Sequence, residues 1–106
     1  TTATKVDSVN SSYDDKCPIV FRNIMVFASD REGGLGGFDL YYTIFKNGNW
    51  SSPVNLGPEI NSADNEYRPV IGFHPDFENL FMMFSSDRAG GKGGFDLYFT
   101  GIEFPE

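Results

Sequence analysis

The sequence FASDREGGLGGFDLYYT, residues 27–43, decides the fold of this chain because it occurs twice. The second copy, FSSDRAGGKGGFDLYFT, spans residues 84–100, and 13 of the 17 aligned positions are identical at an offset of 57 residues. A repeat this close indicates that one structural unit occurs twice in the chain.

Each copy predicts two strands joined by a glycine-rich connection. The first strand is apolar, and the second is rich in aromatic and β-branched residues. These strands are residues 24–27 and 38–45 in the first copy, and residues 80–84 and 95–100 in the second. The glycine-rich segments 33–37 and 90–94 favour a wide hairpin connection, because glycine adopts positive φ at no steric cost.

The repeat extends upstream and predicts two more strands in each unit. Residues 9–18 align with residues 60–69, and in both segments the final proline precedes a short apolar stretch that is predicted to be an inner strand. A fourth strand is predicted to begin at Trp50, because Asn47-Gly48 is a strong hairpin-turn signal. Four antiparallel strands per unit, repeated, predict an all-β fold built from blades of a β-propeller.

The composite motif resembles the TolB-like, WD-repeat-like β-propeller family of bacterial envelope proteins. The resemblance lies in Ser-Asp-Arg-x-Gly-Gly-x-Gly-Gly-Phe-Asp-Leu-Tyr, followed by Trp-Ser-x-Pro-x-Asn-Leu-Gly and Ile-Asn-Ser, and it covers residues 9–100. It implies a propeller scaffold that binds other molecules in the bacterial periplasm or at the cell surface.

The two units define the predicted domain organisation. Residues 9–59 are expected to form one blade, and residues 60–106 a second blade that lacks its outer strand. Residues 1–8 are either a tail or an outer strand added to another blade. Because the strands are apolar on both faces, two isolated blades would expose more apolar surface than a monomer usually tolerates. We therefore expect further blades from the same or another chain, so that this chain is part of a propeller or a ring-forming unit.

Composition limits the classes of partner. The net charge of −7 argues against nucleic acid, which needs a basic surface. No apolar run approaches the roughly 18 residues of a spanning helix, so membrane insertion is not expected. Cys17 is the only cysteine and cannot form an intrachain disulfide.

The recurring pairs Asp30-Arg31 and Asp87-Arg88 are the first candidates for ligand binding. In the structural alternative, the aspartate accepts backbone N–H groups, and the arginine pairs with a carboxylate or stacks on an aromatic ring. Recurrence at the same place in both units favours this structural alternative.

Other candidate ligand-binding residues are Trp50, as a sugar-stacking platform or part of the core, and Asp64 and Glu66, on an acidic loop between units. Asp39 and Asp96 are the candidate metal ligands, since Ca²⁺ takes oxygen ligands. Their spacing matches no calcium loop, and a hydrogen-bond anchor is the simpler interpretation. No other cofactor is expected.

No catalytic constellation is found, because the single histidine, His74, has no partner pattern for a zinc site or a nucleophile. We therefore expect a non-enzymatic binding or assembly scaffold whose partner is a protein or a glycan of the envelope. The alternative is a lectin-like carbohydrate-binding module assembled from two-blade chains.

Overall fold

A computed structural model describes residues 2–76, 78 and 80–104. Within these ranges the protein contains strands and no helix, which confirms the predicted all-β class. The strands are β1 Asp15–Phe21, β2 Ile24–Ser29, β3 Asp39–Lys46, β4 Asn49–Trp50, β5 Val54–Asn55, β6 Glu66–Gly72, β7 Leu80–Ser86 and β8 Asp96–Ile102.

The strands form two antiparallel sheets, one for each repeat. The first sheet has the order β1-β2-β3-β4, and β5 also pairs with β3. The second sheet has the order β6-β7-β8. Every strand except β5 therefore pairs with a neighbour in the chain, and the described residues form no closed ring of sheets.

The predicted fourth strand is interrupted. It consists of the two short strands β4 and β5, with Ser51, Ser52 and Pro53 between them. Pro53 has no N–H group to donate to a ladder. Ser51 instead bonds back to β3, because its backbone N–H donates to the carbonyl oxygen of Ile44 at 2.8 Å. The predicted Asn47-Gly48 turn is present, with φ of 54° and 83°, which suits a type I′ hairpin turn.

The first strand of each sheet begins before the proline and contains a bulge. The register shifts between Lys16 and Ile19 in β1, and between Tyr67 and Val70 in β6. The residue before each proline, Cys17 or Arg68, has a positive φ, of 56° and 53°. A proline cannot donate a ladder hydrogen bond, and a bulge accommodates it.

The two sheets pack face to face. We call the packed side of the first sheet its back face, and the packed side of the second sheet its front face. The core between them consists of buried apolar side chains from both sheets and from the connecting segment, namely Val26, Ala28, Leu40, Ile60, Ile71, Met82, Phe84 and Ile102.

The front face of the first sheet packs against the N-terminal segment. Met25, Phe27 and Tyr41 form a second buried cluster with Val9, and Val6 and Trp50 pack at its edge. Residues 2–8 form no strand, and Thr1 lies outside the described residues. The N-terminal segment thus covers part of the front face of the first sheet. Val9 in this segment takes the place that Ile60 takes in the second unit.

The back face of the second sheet is exposed. Leu97 is 72% exposed and Phe99 66% exposed, although both lie in the middle of β8. Most of β2 and the first half of β3 are therefore buried on both faces of the first sheet, whereas β8 is exposed on the back face of the second.

Candidate docking site on the second repeat

Arg31 holds together three parts of the first repeat. Its Nη2 atom donates to the carbonyl oxygen of Val9 and to Asp15 Oδ1, both at 2.8 Å, and its Nε atom donates to Ser29 Oγ at 3.0 Å. The guanidinium therefore joins the N-terminal segment to β1 and β2.

Arg88 makes the equivalent contacts in the second repeat. It donates to the carbonyl oxygen of Ile60, to Ser86 Oγ at 3.0 Å, and to the fully buried Glu66 at 3.5 Å. Each arginine also lies over two rings whose centroids are 6.0 Å apart at an interplanar angle of 22°. These rings are Phe27 and Tyr41 under Arg31, and Phe84 and Tyr98 under Arg88.

Asp30 and Asp87 hold the segment that precedes each first strand. Asp30 Oδ1 accepts the backbone N–H of Asp14 at 2.9 Å, and Asp87 Oδ1 accepts that of Asn65 at 2.8 Å. Asn65 Nδ2 also donates to Asp87 Oδ2 at 3.1 Å. The hydrogen bonds from Asn65 hold the pKa of Asp87 below its usual value. The Asp-Arg pairs are thus engaged inside each repeat.

Asp15 is the carboxylate that faces Arg31. Burial acts to raise its pKa, but the backbone N–H of Ser11, the hydroxyl of Ser29 and the Arg31 guanidinium together outweigh burial and lower it. The charged form of Asp15 is therefore the one that the fold stabilises.

Asp39 and Asp96 anchor the two glycine-rich loops. Asp39 Oδ2 accepts the N–H of Leu35 at 2.5 Å and the amide of Asn55 at 3.1 Å. Asp96 Oδ2 accepts the N–H of Lys92 at 2.8 Å. Among the residues that the structure describes, no group of three or more His, Cys, Asp or Glu side chains is placed to hold a metal ion.

Trp50, Asp64 and Glu66 occupy different environments. Trp50 is half-buried and packs edge-on against Phe45 at 5.1 Å between centroids. Asp64 is exposed, and its carbonyl oxygen accepts the N–H of Gly37 at 3.1 Å. Glu66 is fully buried in β6 beside Arg88, so the prediction that it lies on a loop between the units is wrong. Of the three residues, Asp64 alone lies on the segment that contacts the glycine-rich loop of the first repeat.

The junction between the repeats depends on two glycines. A Cβ atom at Gly36 would lie 2.3 Å from the carbonyl group of Ala63, and one at Gly37 would lie 2.2 Å from Asn65 Oδ1. Real Cβ atoms essentially never lie this close to another atom. A side chain at Gly36 would displace the backbone of the segment that enters the second sheet, and one at Gly37 would displace the Asn65 side chain. Glycine is needed here for close approach rather than for a turn.

Backbone hydrogen bonds continue this junction. The N–H of Phe38 donates to Asn65 Oδ1 at 2.8 Å, and the N–H of Glu66 donates to the carbonyl oxygen of Phe38 at 2.8 Å. The backbone of Phe38 thus pairs with the entering segment. The two strands that the sequence predicted to begin at residues 38 and 95 each begin one residue later, at Asp39 in β3 and at Asp96 in β8.

Asn61 completes the junction. Its Oδ1 accepts the N–H of Leu40 at 2.7 Å, and its Nδ2 donates to the carbonyl oxygen of Leu40 at 3.0 Å and to Asn55 Oδ1 at 2.8 Å. Asn61 is 3% exposed, so these bonds satisfy buried backbone groups of β3. The Ile-Asn-Ser motif contained this residue, but the sequence did not indicate its role.

The second repeat presents the same surface without an entering segment. A Cβ atom at Gly93 or Gly94 would meet nothing within 4 Å. Leu97 is 72% exposed, whereas its counterpart Leu40 is fully buried. We call the surface formed by residues 93–95, Leu97 and Phe99 the docking site.

Comparisons with protein-family models, with curated proteins and with solved structures found no match to this chain. Within the described residues, no helix has the length and apolar character needed to cross a membrane.

Proposed function

We propose that this chain is two blades of a β-propeller and serves as a non-enzymatic binding and assembly scaffold, whose docking site receives a further blade. The observation that carries the proposal is the contrast between Leu40 and Leu97. These residues are equivalent in the repeat, yet one is fully buried and the other is 72% exposed. The second sheet supplies the cover for Leu40, so a third sheet of the same kind is the cover that suits Leu97.

Burial of apolar surface would favour this docking. Three apolar side chains at alternate positions are exposed, namely Phe95 just before β8, and Leu97 and Phe99 within it. Removing such a surface from water contributes about 25 cal/mol per Å². Exposed apolar patches on soluble proteins usually mark sites of interaction.

The edge of β8 supports the same proposal. In the first sheet, β3 pairs with β2 on one side and with β4 and β5 on the other. Within the described residues β8 pairs with β7 alone. An unpaired strand edge offers backbone groups to another strand. A further chain segment at this edge would give the second sheet the strand that corresponds to β5.

The proposed cellular location is based on the sequence motif of the repeat. The Ser-Asp-Arg and Gly-Gly-x-Gly-Gly elements resemble those of bacterial envelope propellers, so we propose a periplasmic or cell-surface location. The partner would be a protein or a glycan of the envelope, or further blades.

The test is sedimentation velocity over a range of concentrations. We expect the wild-type chain to associate, and the double variant Leu97→Lys with Phe99→Lys to remain monomeric at the same melting temperature. Val54→Lys is the matched control, because Val54 is 48% exposed but lies on β5, away from the docking site. A wild-type chain that stays monomeric throughout, or a double variant that associates equally well, would contradict the proposal.

A lectin-like role is the second candidate, and Trp50 supports it. Trp50 lies beside a cavity of about 520 Å³ that is also lined by polar residues, namely Thr4, Lys5, Asp7, Ser8 and Asn49. An aromatic face beside hydrogen-bonding groups suits a sugar ring. A glycan array should then give binding that Trp50→Ala removes. Binding that survives this substitution would exclude the cavity as the sugar site.

A further inference from the structure

We propose that the segment which occupies the docking site is residues 10–16 of a second copy of this chain. This inference rests on the proposed function, because it names the partner of the same site. It starts from the junction inside the chain, where residues 61–67 enter the second sheet and contact the glycine-rich loop of the first repeat.

The chain contains one other segment of this type. Residues 10–16, Asn-Ser-Ser-Tyr-Asp-Asp-Lys, align with residues 61–67, Asn-Ser-Ala-Asp-Asn-Glu-Tyr, at an offset of 51 residues. Asn10 thus corresponds to Asn61, the residue whose amide satisfies the backbone of Leu40. Ser12 corresponds to Ala63, which packs against Gly36.

The segment already has the conformation that docking needs. Ser11 donates its backbone N–H to Asp15 Oδ2 at 2.8 Å, and Ser62 donates to Glu66 Oε1 at 2.9 Å in the same way. The N–H of Asp14 is held by Asp30, as the N–H of Asn65 is held by Asp87. Association therefore requires little ordering of this segment, which lowers its entropic cost.

The segment is also accessible. Asn10, Ser12, Tyr13 and Asp14 are all exposed. In the docked arrangement, the Asn10 amide would bond the backbone of Leu97, and the N–H of Phe95 would donate to the Asp14 carboxylate. These bonds copy those of Asn61 with Leu40 and of Phe38 with Asn65.

The aromatic contact of the junction also has a counterpart. Tyr67 packs on Phe38 with 5.0 Å between ring centroids. The corresponding residues are Lys16 and Phe95, so docking would place an ammonium group over a ring. Lys16 already makes contacts of this kind in its own chain, where its ammonium group lies 4.3 Å from the Phe38 ring centroid and 4.6 Å from that of Tyr67.

Two sequence differences between the copies favour a contact between chains. The entering segment has Asp14 where the internal junction has Asn65, and the receiving loop has Lys92 where the first repeat has Leu35. The entering segment thus gains a negative charge and the receiving loop gains a positive one. Opposite charges on the two partners of a contact favour their association.

This contact joins residues 10–16 of one copy to the second repeat of the next. Such a heterologous contact forms a ring if the rotation closes and a filament if it does not. The chain would therefore assemble into a repeating structure in which every docking site but the last of an open array is covered.

The decisive variant is Gly93→Val, studied in the full chain by sedimentation velocity. A side chain here meets nothing within 4 Å in the isolated chain, but at the equivalent Gly36 a Cβ would lie 2.3 Å from the Ala63 carbonyl. We expect Gly93→Val to keep the wild-type melting temperature and to lose association at concentrations where the wild type assembles. Because valine adds apolar surface, it would not weaken non-specific association through the docking site. A loss of association in Gly93→Val would therefore indicate docking of residues 10–16 and not non-specific apolar contact.

The complementary variant lies on the entering segment. Asn10→Ala should weaken association about tenfold or more, because it leaves the backbone groups of Leu97 without their partner. Ser8→Ala, just outside the segment, is the matched control and should associate like the wild type. If Leu97→Lys with Phe99→Lys abolishes association but Gly93→Val and Asn10→Ala do not, the docking site is used by another segment and this inference fails while the proposed function stands. A wild-type chain that does not associate overturns both.

Discussion

The two repeats have nearly the same sequence but different surroundings. Leu40 is fully buried and Leu97 is 72% exposed, although each follows a Gly-Gly-Phe-Asp sequence. Gly36 contacts the backbone of the following unit, whereas Gly93 has open space around it. The comparison teaches that the same loop and strand are covered where the next unit lies on them, as in the first repeat, and exposed in the second repeat, where no described unit does.

The interior of each repeat shows no such difference. Arg31 and Arg88 make the same bond to a serine hydroxyl at 3.0 Å and lie over ring pairs of the same geometry. The contacts that each arginine makes with its serine and its ring pair are therefore alike in both copies. Among the described residues, contacts to a following repeat occur only in the first.

The largest expected difference is between Leu40→Ala and Leu97→Ala. The first removes a fully buried side chain from the core and should lower the free energy of unfolding by about 2–5 kcal/mol. The second removes an exposed side chain and should change the monomer by less than about 0.5 kcal/mol. Urea unfolding at a concentration where the chain is monomeric measures both. Similar losses for the two variants would show that the back face of the second sheet is covered in the monomer.

A smaller difference is expected between Gly36→Ala and Gly93→Ala. At Gly36 the added methyl group meets backbone atoms that cannot rotate away, so we expect a loss of about 1–3 kcal/mol. At Gly93 the methyl group meets open space, and alanine reduces the entropy of the unfolded chain, so we expect no loss or a gain of a few tenths of a kcal/mol. Thermal unfolding of the two variants is the measurement. A destabilising Gly93→Ala would mean that this loop packs on its own chain.

The smallest effect concerns acid pH. The pKa values of Asp15 and Asp87 are both lowered in the fold, so their charged forms contribute stability above their unfolded pKa, near 3.8, and lose it as the pH falls through the lower folded values. Asp15→Asn and Asp87→Asn should therefore lower the melting temperature at about pH 7 and reduce its decline in acid. Asp15→Asn should have the larger effect, because Asp15 faces Arg31.

The control for the acid measurement is Glu59→Gln, which removes an exposed carboxylate of the connecting segment. It should lower the melting temperature at about pH 7 by less than Asp15→Asn does. A variant of Asp15 that declines in acid as steeply as the wild type would show that this carboxylate does not stabilise the fold.

Much of the fold could be predicted from the sequence because the repeat carries strong local signals. Asn47-Gly48 predicted its turn, and the apolar runs predicted β2 and β7. The bulges at Cys17 and Arg68 were not predicted, because a proline in an inner strand can be accommodated by a bulge or can end the strand. The choice depends on pairing with β2 and β7, which local sequence does not determine.

The candidate site was harder to predict, and the reason is physical. The sequence identified two Asp-Arg pairs, Asp30-Arg31 and Asp87-Arg88, because they recur in both repeats. A residue can recur in this way whether it makes a structural contact or binds a ligand. The exposure of Leu97 and Phe99 depends on whether another sheet lies on them, and the sequence of β8 is the same in either case. Only the comparison of the two environments identified the docking site.

The central claim is that the second repeat lacks the cover that the first repeat has. Amide hydrogen exchange, compared between the equivalent strands β3 and β8, tests this claim most directly. In dilute solution we predict that amides of residues 97–101 exchange much faster than those of residues 40–44, because only β3 is covered and paired on both sides. At concentrations where the chain associates, we predict that residues 97–101 become protected to a similar degree. Equal, slow exchange of both strands in the dilute monomer would contradict the account, because the back face of the second sheet would then be covered already.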